Sequence, residues 1–157
     1  EQRKNTTGEW AMSDLEELYQ EIVMEHNWKP RNFRLMDDAD RSANGVNPFC
    51  GDQINIYLKL DEDVVTDVSF QGSGCAISRA SASMMTESIK GKTLKEVQDT
   101  FERFHSMITG EGEPDALGDL AVLAGVSEYP TRIKCAILSW HTLRAGIDGD
   151  KETVRTE

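Results

Sequence analysis

Between Ile54 and Ile147 the apolar residues change period once, at Gly72-Ser73-Gly74. Ahead of that point Ile54, Ile56, Leu58 and Leu60 alternate with polar or mixed residues, and Val64, Thr66, Val68 and Phe70 fall on one side of a second such run. With the acidic break Asp61-Glu62-Asp63 between them, the two runs predict an antiparallel hairpin with one face on a core. Beyond Gly74 the spacing is helical. Ile77, Ala80, Ser81, Met84, Met85 and Ile89 share one face and Gly91 ends the run. Thr93 and Glu96 form a capping box ahead of Leu94, Val97, Phe101, Phe104 and Ile108. The stretch Gly110-Glu111-Gly112-Glu113-Pro114 breaks that helix, and a short helical piece carries Leu117, Leu120 and Leu123. A last helix opens at Pro130, a residue suited to a first turn, with a stripe of Ile133, Ile137, Trp140, Leu143 and Ile147.

A further helix is predicted ahead of the strands. It starts at Ser13, where Ser13 and Glu16 make a capping box, and carries Leu15, Leu18, Tyr19, Ile22 and Val23 as its apolar stripe. Pro30 lies past its end, and the polar segment 31–46 holds at most a short edge strand. Strands followed by helices predict an α+β domain: a small antiparallel sheet of about three strands with helices packed on one face. Residues 1–12 read as a flexible extension, 13–147 as one domain and 148–157 as a polar tail that frays.

A chain of 157 residues suits one domain with one core. Its 28 acidic and 17 basic residues leave a formal net charge of -11, which excludes nucleic-acid binding through a phosphate-neutralising surface. No apolar run reaches the roughly 18 residues that would span a bilayer, and the first residues lack the apolar centre of a secretory signal. Neither nucleic acid nor membrane is therefore an expected partner. The odd count of three cysteines argues against a disulfide framework and for a reducing compartment, the cytoplasm first.

Those cysteines stand where the structure is expected to change. Cys50 and Asp52 flank Gly51 just before the first alternating run, so a tight turn there can offer one sulfur and one oxygen to the same cation; the plain alternative is a turn in which Asp52 caps amides. Cys75 follows Gly74 and precedes a helix, whose unpaired N–H groups favour thiolate. Cys135 is two residues from both Ile133 and Ile137, which turns it away from the apolar stripe of the last helix, and Arg132 and Lys134 beside it favour thiolate as well.

Three thiolates and a carboxylate suit a tetrahedral Zn2+ site at Cys50, Asp52, Cys75 and Cys135. Their charge exceeds that of the ion by two, an excess that Arg132 and Lys134 can offset. His26, His105 and His141 are the alternative ligands, without metal-type pairing among them. Three inert buried thiols is the remaining alternative.

Taken together, Asn47-Pro48-Phe49-Cys50-Gly51-Asp52, Gly72-Ser73-Gly74-Cys75-Ala76-Ile77-Ser78 and Arg132-Ile133-Lys134-Cys135-Ala136 resemble the IscU/NifU-N family of iron–sulfur cluster assembly proteins, from about Leu15 to Ile147. The SufU branch matches better than the IscU scaffold branch. Lys134 stands where the scaffold branch has a histidine, and the segment 105–128 fits an insertion of the SufU branch.

The resemblance implies an IscU-like fold and a zinc-bound sulfur acceptor, a relay protein with sulfurtransferase activity rather than a stand-alone enzyme. Its partners would be a SufS-like cysteine desulfurase and a SufBCD-type assembly complex. By position, Cys50, Asp52, Cys75 and Cys135 become the zinc ligands, Cys50 the sulfur-accepting thiol, and Arg132 the group that steers the partner or stabilises thiolate. Docking would exchange one zinc ligand for a group on the desulfurase. The alternatives are a scaffold carrying a transient [2Fe–2S] cluster, a purely structural zinc module and a cysteine-nucleophile hydrolase.

Overall fold

The structure, a computed structural model, describes residues 12–112 and 117–156; the side chains of residues 12–16 and of Leu18 are outside the description. The expected extension before residue 12, the Ser13–Glu16 capping box and the contributions of Leu15 and Leu18 lie outside the described residues or side chains. Helix α1 spans Met12–Trp28. Strands β1 (Arg41–Asn47), β2 (Asp52–Asp61) and β3 (Val64–Ser73) follow, then helices α2 (Ala76–Ile89) and α3 (Leu94–Ile108). A 3₁₀ stretch, Gly118–Glu128, leads into α4 (Pro130–Asp148), and β4 (Val154–Arg155) comes last.

The α+β expectation holds, with a sheet of four strands rather than three, in the order β3-β2-β1-β4. β1, β2 and β3 pair antiparallel, while β4 pairs parallel to β1 through Gly45 and Val46. β1 is therefore an interior strand. Residues 154–156 of the expected tail are tied to the domain: the Thr156 N–H donates to Val46 O at 3.1 Å, and Thr156 Oγ1 donates to Lys134 O at 3.2 Å. No apolar period announces a two-residue strand, because the neighbouring backbone supplies its only pattern.

The alternation in β2 sends Asp52, Ile54, Ile56 and Leu58 to the buried face. In β3 the expected face of Val64, Thr66, Val68 and Phe70 is corrected. The register slips between Lys59 and Leu60, so that Val65 is buried and Thr66 exposed, while Val68 and Phe70 stay inside. One extra residue in a bulged strand reverses the parity beyond it, which a strict two-residue period cannot anticipate.

The helices cover that one face, α4 against β1 and β2 and α2 against β3. Trp140 of α4 is fully buried and stacks on Phe104 at 4.5 Å between centroids. Its indole Nε1–H donates to Ser81 Oγ at 3.2 Å, and that hydroxyl donates to Ala136 O at 2.6 Å, so the buried serine of α2 is satisfied. Each fully buried Leu, Ile or Phe of this core contributes about 1.5–3 kcal/mol. The Thr93–Glu96 capping box forms as expected. Leu117, at the N-cap, and Leu120, Leu123 and Val126 within the 3₁₀ helix are all buried at a spacing of three, the repeat of that helix. Among the described residues no helix is long and apolar enough to cross a membrane.

Candidate metal centre

Asn47 and Asp52 are directly opposed in the β1–β2 register and close a hairpin loop of Pro48, Phe49, Cys50 and Gly51. Gly51 has φ 73°, a left-handed conformation that costs other residues strain. The loop carries Cys50 exposed at its tip. Asp52 continues the inward parity of Ile54, Ile56 and Leu58, so its carboxylate is 1% exposed at the end of the core. Gly74 makes room for it: a Cβ there would collide with Asp52 Oδ1 and stand 3.0 Å from Asp52 Cα. The Cys75 N–H consequently donates to Asp52 Oδ1 at 2.8 Å.

Cys75 is the N-cap of α2, and its sulfur accepts the Ser78 N–H at 3.4 Å. The neighbouring Cys135 thiol is the main cause holding the Cys75 thiol down at about 7, with the helix amide of Ser78 adding to it against the opposing effect of burial. The lowered value expected from the helix start is present, but a neighbouring thiol contributes most.

Two expectations for Cys135 are corrected. The residue is 3% exposed, not turned away from packing, because α4 is covered on nearly every side from Cys135 to Leu143 by the sheet, α2 and the 3₁₀ stretch. Its thiol is pushed up rather than down, by the neighbouring Cys75 sulfur first and by burial next. The flanking cations turn elsewhere: Arg132 Cζ lies 4.5 Å over the Tyr129 ring and Lys134 Nζ 6.0 Å from the Phe49 ring.

The ligand atoms of Cys50, Asp52 and Cys135 all lie within 4.8 Å of one another. Cys135 Sγ is 3.3 Å from Cys50 Sγ, and Cys75 Sγ is 3.9 Å from Asp52 Oδ2. Cys75, the fourth ligand expected from the sequence, is outside that group of three and reaches it through Asp52. Bonds of about 2.3 Å to sulfur place tetrahedral ligand atoms about 3.8 Å apart. The spacing of Cys50, Asp52 and Cys135 suits such an ion, as does a donor set of soft sulfurs and one hard oxygen, the buried carboxylate being met among the described residues by amides and thiols rather than by a basic side chain.

None of the histidines is in this group. His26 is buried and its Nδ1 lies 2.7 Å from Ser83 Oγ, while His105 and His141 are half-buried against Phe101. Sequence reasoning gave Asn47 no role of its own, although it stands at the end of the buried parity Ala43, Gly45, Asn47. Its Nδ2 donates to Asp52 Oδ2 at 3.4 Å and to Cys135 Sγ at 3.6 Å. The spacing of its own segment carried no signal for this, because the burial of the amide at the strand end is set by tertiary packing.

A family model described as NifU-like N terminal domain matches residues 18–136. This chain belongs to that family. Among NifU-like N-terminal domain relatives, the zinc-dependent sulfurtransferase SufU of Bacillus subtilis (strain 168) is 44% identical over 137 residues, 86% of this chain and 92% of that protein. The iron-sulfur cluster assembly scaffold protein IscU of Streptococcus pyogenes serotype M1 is 39% identical over 139 residues, 87% of each chain. The solved FiSufU protein of the SUF system from Fervidobacterium islandicum AW-1 superposes with a TM-score of 0.78 at 34% identity, covering 83% of this chain and 97% of that one. A NifU-like N-terminal structure from Brucella abortus, 23% identical with a TM-score of 0.79, shares the fold.

Proposed function

We propose that this NifU-like N-terminal domain is a zinc-bound sulfur acceptor that takes persulfide sulfur from a cysteine desulfurase and relays it for iron–sulfur cluster assembly. The observation that carries the reading is one exposed thiol, Cys50, on a left-handed loop against Asp52 and Cys135 within a metal-capable group. The 44% identity to a zinc-dependent sulfurtransferase, SufU, supports it.

Cys50, Asp52, Cys75 and Cys135 would hold the ion. Bound there, Zn2+ would keep the sulfurs deprotonated at neutral pH and poised close together. The chain's own chemistry follows from exposure. The Cys50 thiolate attacks the outer sulfur of the desulfurase persulfide. A bond forms between Cys50 Sγ and that sulfur, the sulfur–sulfur bond on the desulfurase breaks, and its cysteine leaves as thiolate. One persulfide anion and one thiolate enter and one of each departs, so no oxidant or reductant is needed. Cys75 and Cys135, half-buried and buried, stay behind as the fixed wall of the site. Arg132, exposed over Tyr129, offers a cation to the incoming anion.

The partners in this reading are a SufS-like desulfurase and a SufBCD-type assembly complex, in the cytoplasm. Metal analysis of the purified protein and a desulfurase assay test it together. Stoichiometric zinc, stimulation of sulfide release and loss of that stimulation in Cys50→Ala are the expected results. Stimulation unchanged in Cys50→Ala refutes the role of Cys50. Iron with a visible chromophore, and no stimulation, would instead mark a scaffold.

A further inference from the structure

Asn47 is fully buried at the end of β1, and its side-chain amide reaches both the carboxylate and a sulfur of the centre. Its Nδ2 has two protons. One points to Asp52 Oδ2 at 3.4 Å, the other to Cys135 Sγ at 3.6 Å, an ordinary length for the larger sulfur atom. Asn47 Oδ1 is buried and accepts no hydrogen bond among the described residues. The reversed amide would set that oxygen against the carboxylate and the sulfur, acceptor against acceptor. The orientation is therefore fixed by what Nδ2 gives.

The three sulfurs are not treated alike. Cys135 receives the Asn47 N–H and Cys75 the Ser78 N–H. Among the described residues Cys50 Sγ receives a hydrogen bond from the Cys135 thiol and none from an N–H. An N–H donor draws charge off a ligating sulfur and fixes its direction; a sulfur without one keeps its charge and its freedom to move.

We propose that Asn47 is a positioning residue of the metal centre: its amide holds Cys135 and Asp52 as a fixed pair and so leaves Cys50 as the sulfur that departs. This rests on the proposed zinc-bound state but goes beyond it, since it assigns the order in which the ligands let go.

The test compares zinc-loaded wild type with Asn47→Ala and Asn47→Asp. Zinc affinity, by competition with a chromophoric chelator, is expected to fall about 10- to 100-fold in both. In the Co2+-substituted protein, Asn47→Ala is expected to move the sulfur-to-metal charge-transfer band to lower energy, because Cys135 loses a donor; a merely structural role leaves that band in place. Iodoacetamide mapping of the zinc-loaded wild type should label Cys50 well ahead of Cys135.

A fourth measurement needs no variant: in ¹⁵N-labelled, zinc-loaded wild type the Asn47 side-chain NH2 should exchange slowly with solvent. Variant affinity within about 3-fold of wild type, an unmoved band, or a rapidly exchanging Asn47 NH2 would overturn the proposal while leaving zinc binding intact. Wild type that binds no zinc overturns the functional reading and this proposal together.

Discussion

The backbone N–H of Cys75 donates to Asp52 Oδ1 at 2.8 Å, tying the first turn of α2 to the first residue of β2. The bond depends on Gly74, whose missing Cβ leaves the carboxylate its place. A loop, a strand end and a helix start are thereby locked at the point where the thiols meet.

Gly74→Ala should accordingly destabilise the protein by about 2 kcal/mol, the cost of overpacking a closed site. It should weaken metal binding as well. Gly51→Ala is the contrast. Nothing lies within 4 Å of its Cβ position, so only the φ of 73° is strained, and about 1 kcal/mol is expected. Urea midpoints of the two variants against wild type check both the values and their order.

Acid should weaken the fold through His26. Burial holds its imidazole below the usual range, and the Arg31 guanidinium adds to this. Glu87 Oε1, 3.8 Å from Nε2, pulls the other way, but its side chain is 48% exposed and screened by water. The unfolded chain takes up a proton at His26 below pH about 6.5 while the folded chain resists, so the unfolded state binds more protons and stability falls as pH drops through that value. His141, lowered by burial and then by His105 and Arg144, acts in the same direction. The loss in urea midpoint between pH 7.5 and 5.5 should be smaller in His26→Gln than in wild type. An equal loss in the two would show that His26 does not contribute.

Thr93 caps α3 through Glu96 N–H at 3.1 Å, and Glu96 Oε1 accepts the Thr93 N–H at 3.0 Å. Thr93→Ala should cost about 1 kcal/mol. Thr93 bridges Val64 beside the β2–β3 turn, at the opposite end of that hairpin from Asp52, so zinc stoichiometry should not change, and thermal denaturation alongside metal analysis separates the two effects.

Arg132 is exposed and stacked on Tyr129, outside the buried centre. Arg132→Ala should shift stability by no more than about 0.5 kcal/mol and leave zinc bound. The concentration of this protein that half-saturates desulfurase stimulation should rise, and the rise should shrink at high salt as an electrostatic contact is screened. A titration at two ionic strengths decides it.

The elements and most of the core were legible in the residues. Period two marked β2, period 3.6 marked α2, α3 and α4, and the capping box at Thr93 and the proline at 130 fixed two helix starts, because each depends on neighbours a few positions away. The same local logic singled out Cys50, Asp52, Cys75 and Cys135 as candidates, of which the structure groups Cys50, Asp52 and Cys135. It could not show that Cys50 and Cys135, 85 positions apart, come within 3.3 Å. Nor could it show that Cys135 is buried, that Val65 rather than Thr66 faces inward, or that Asn47 bridges a carboxylate and a sulfur. Those outcomes are contacts between remote segments. Tertiary packing created them, because a side chain's partner across a sheet or between helices leaves no trace in the spacing of its own segment.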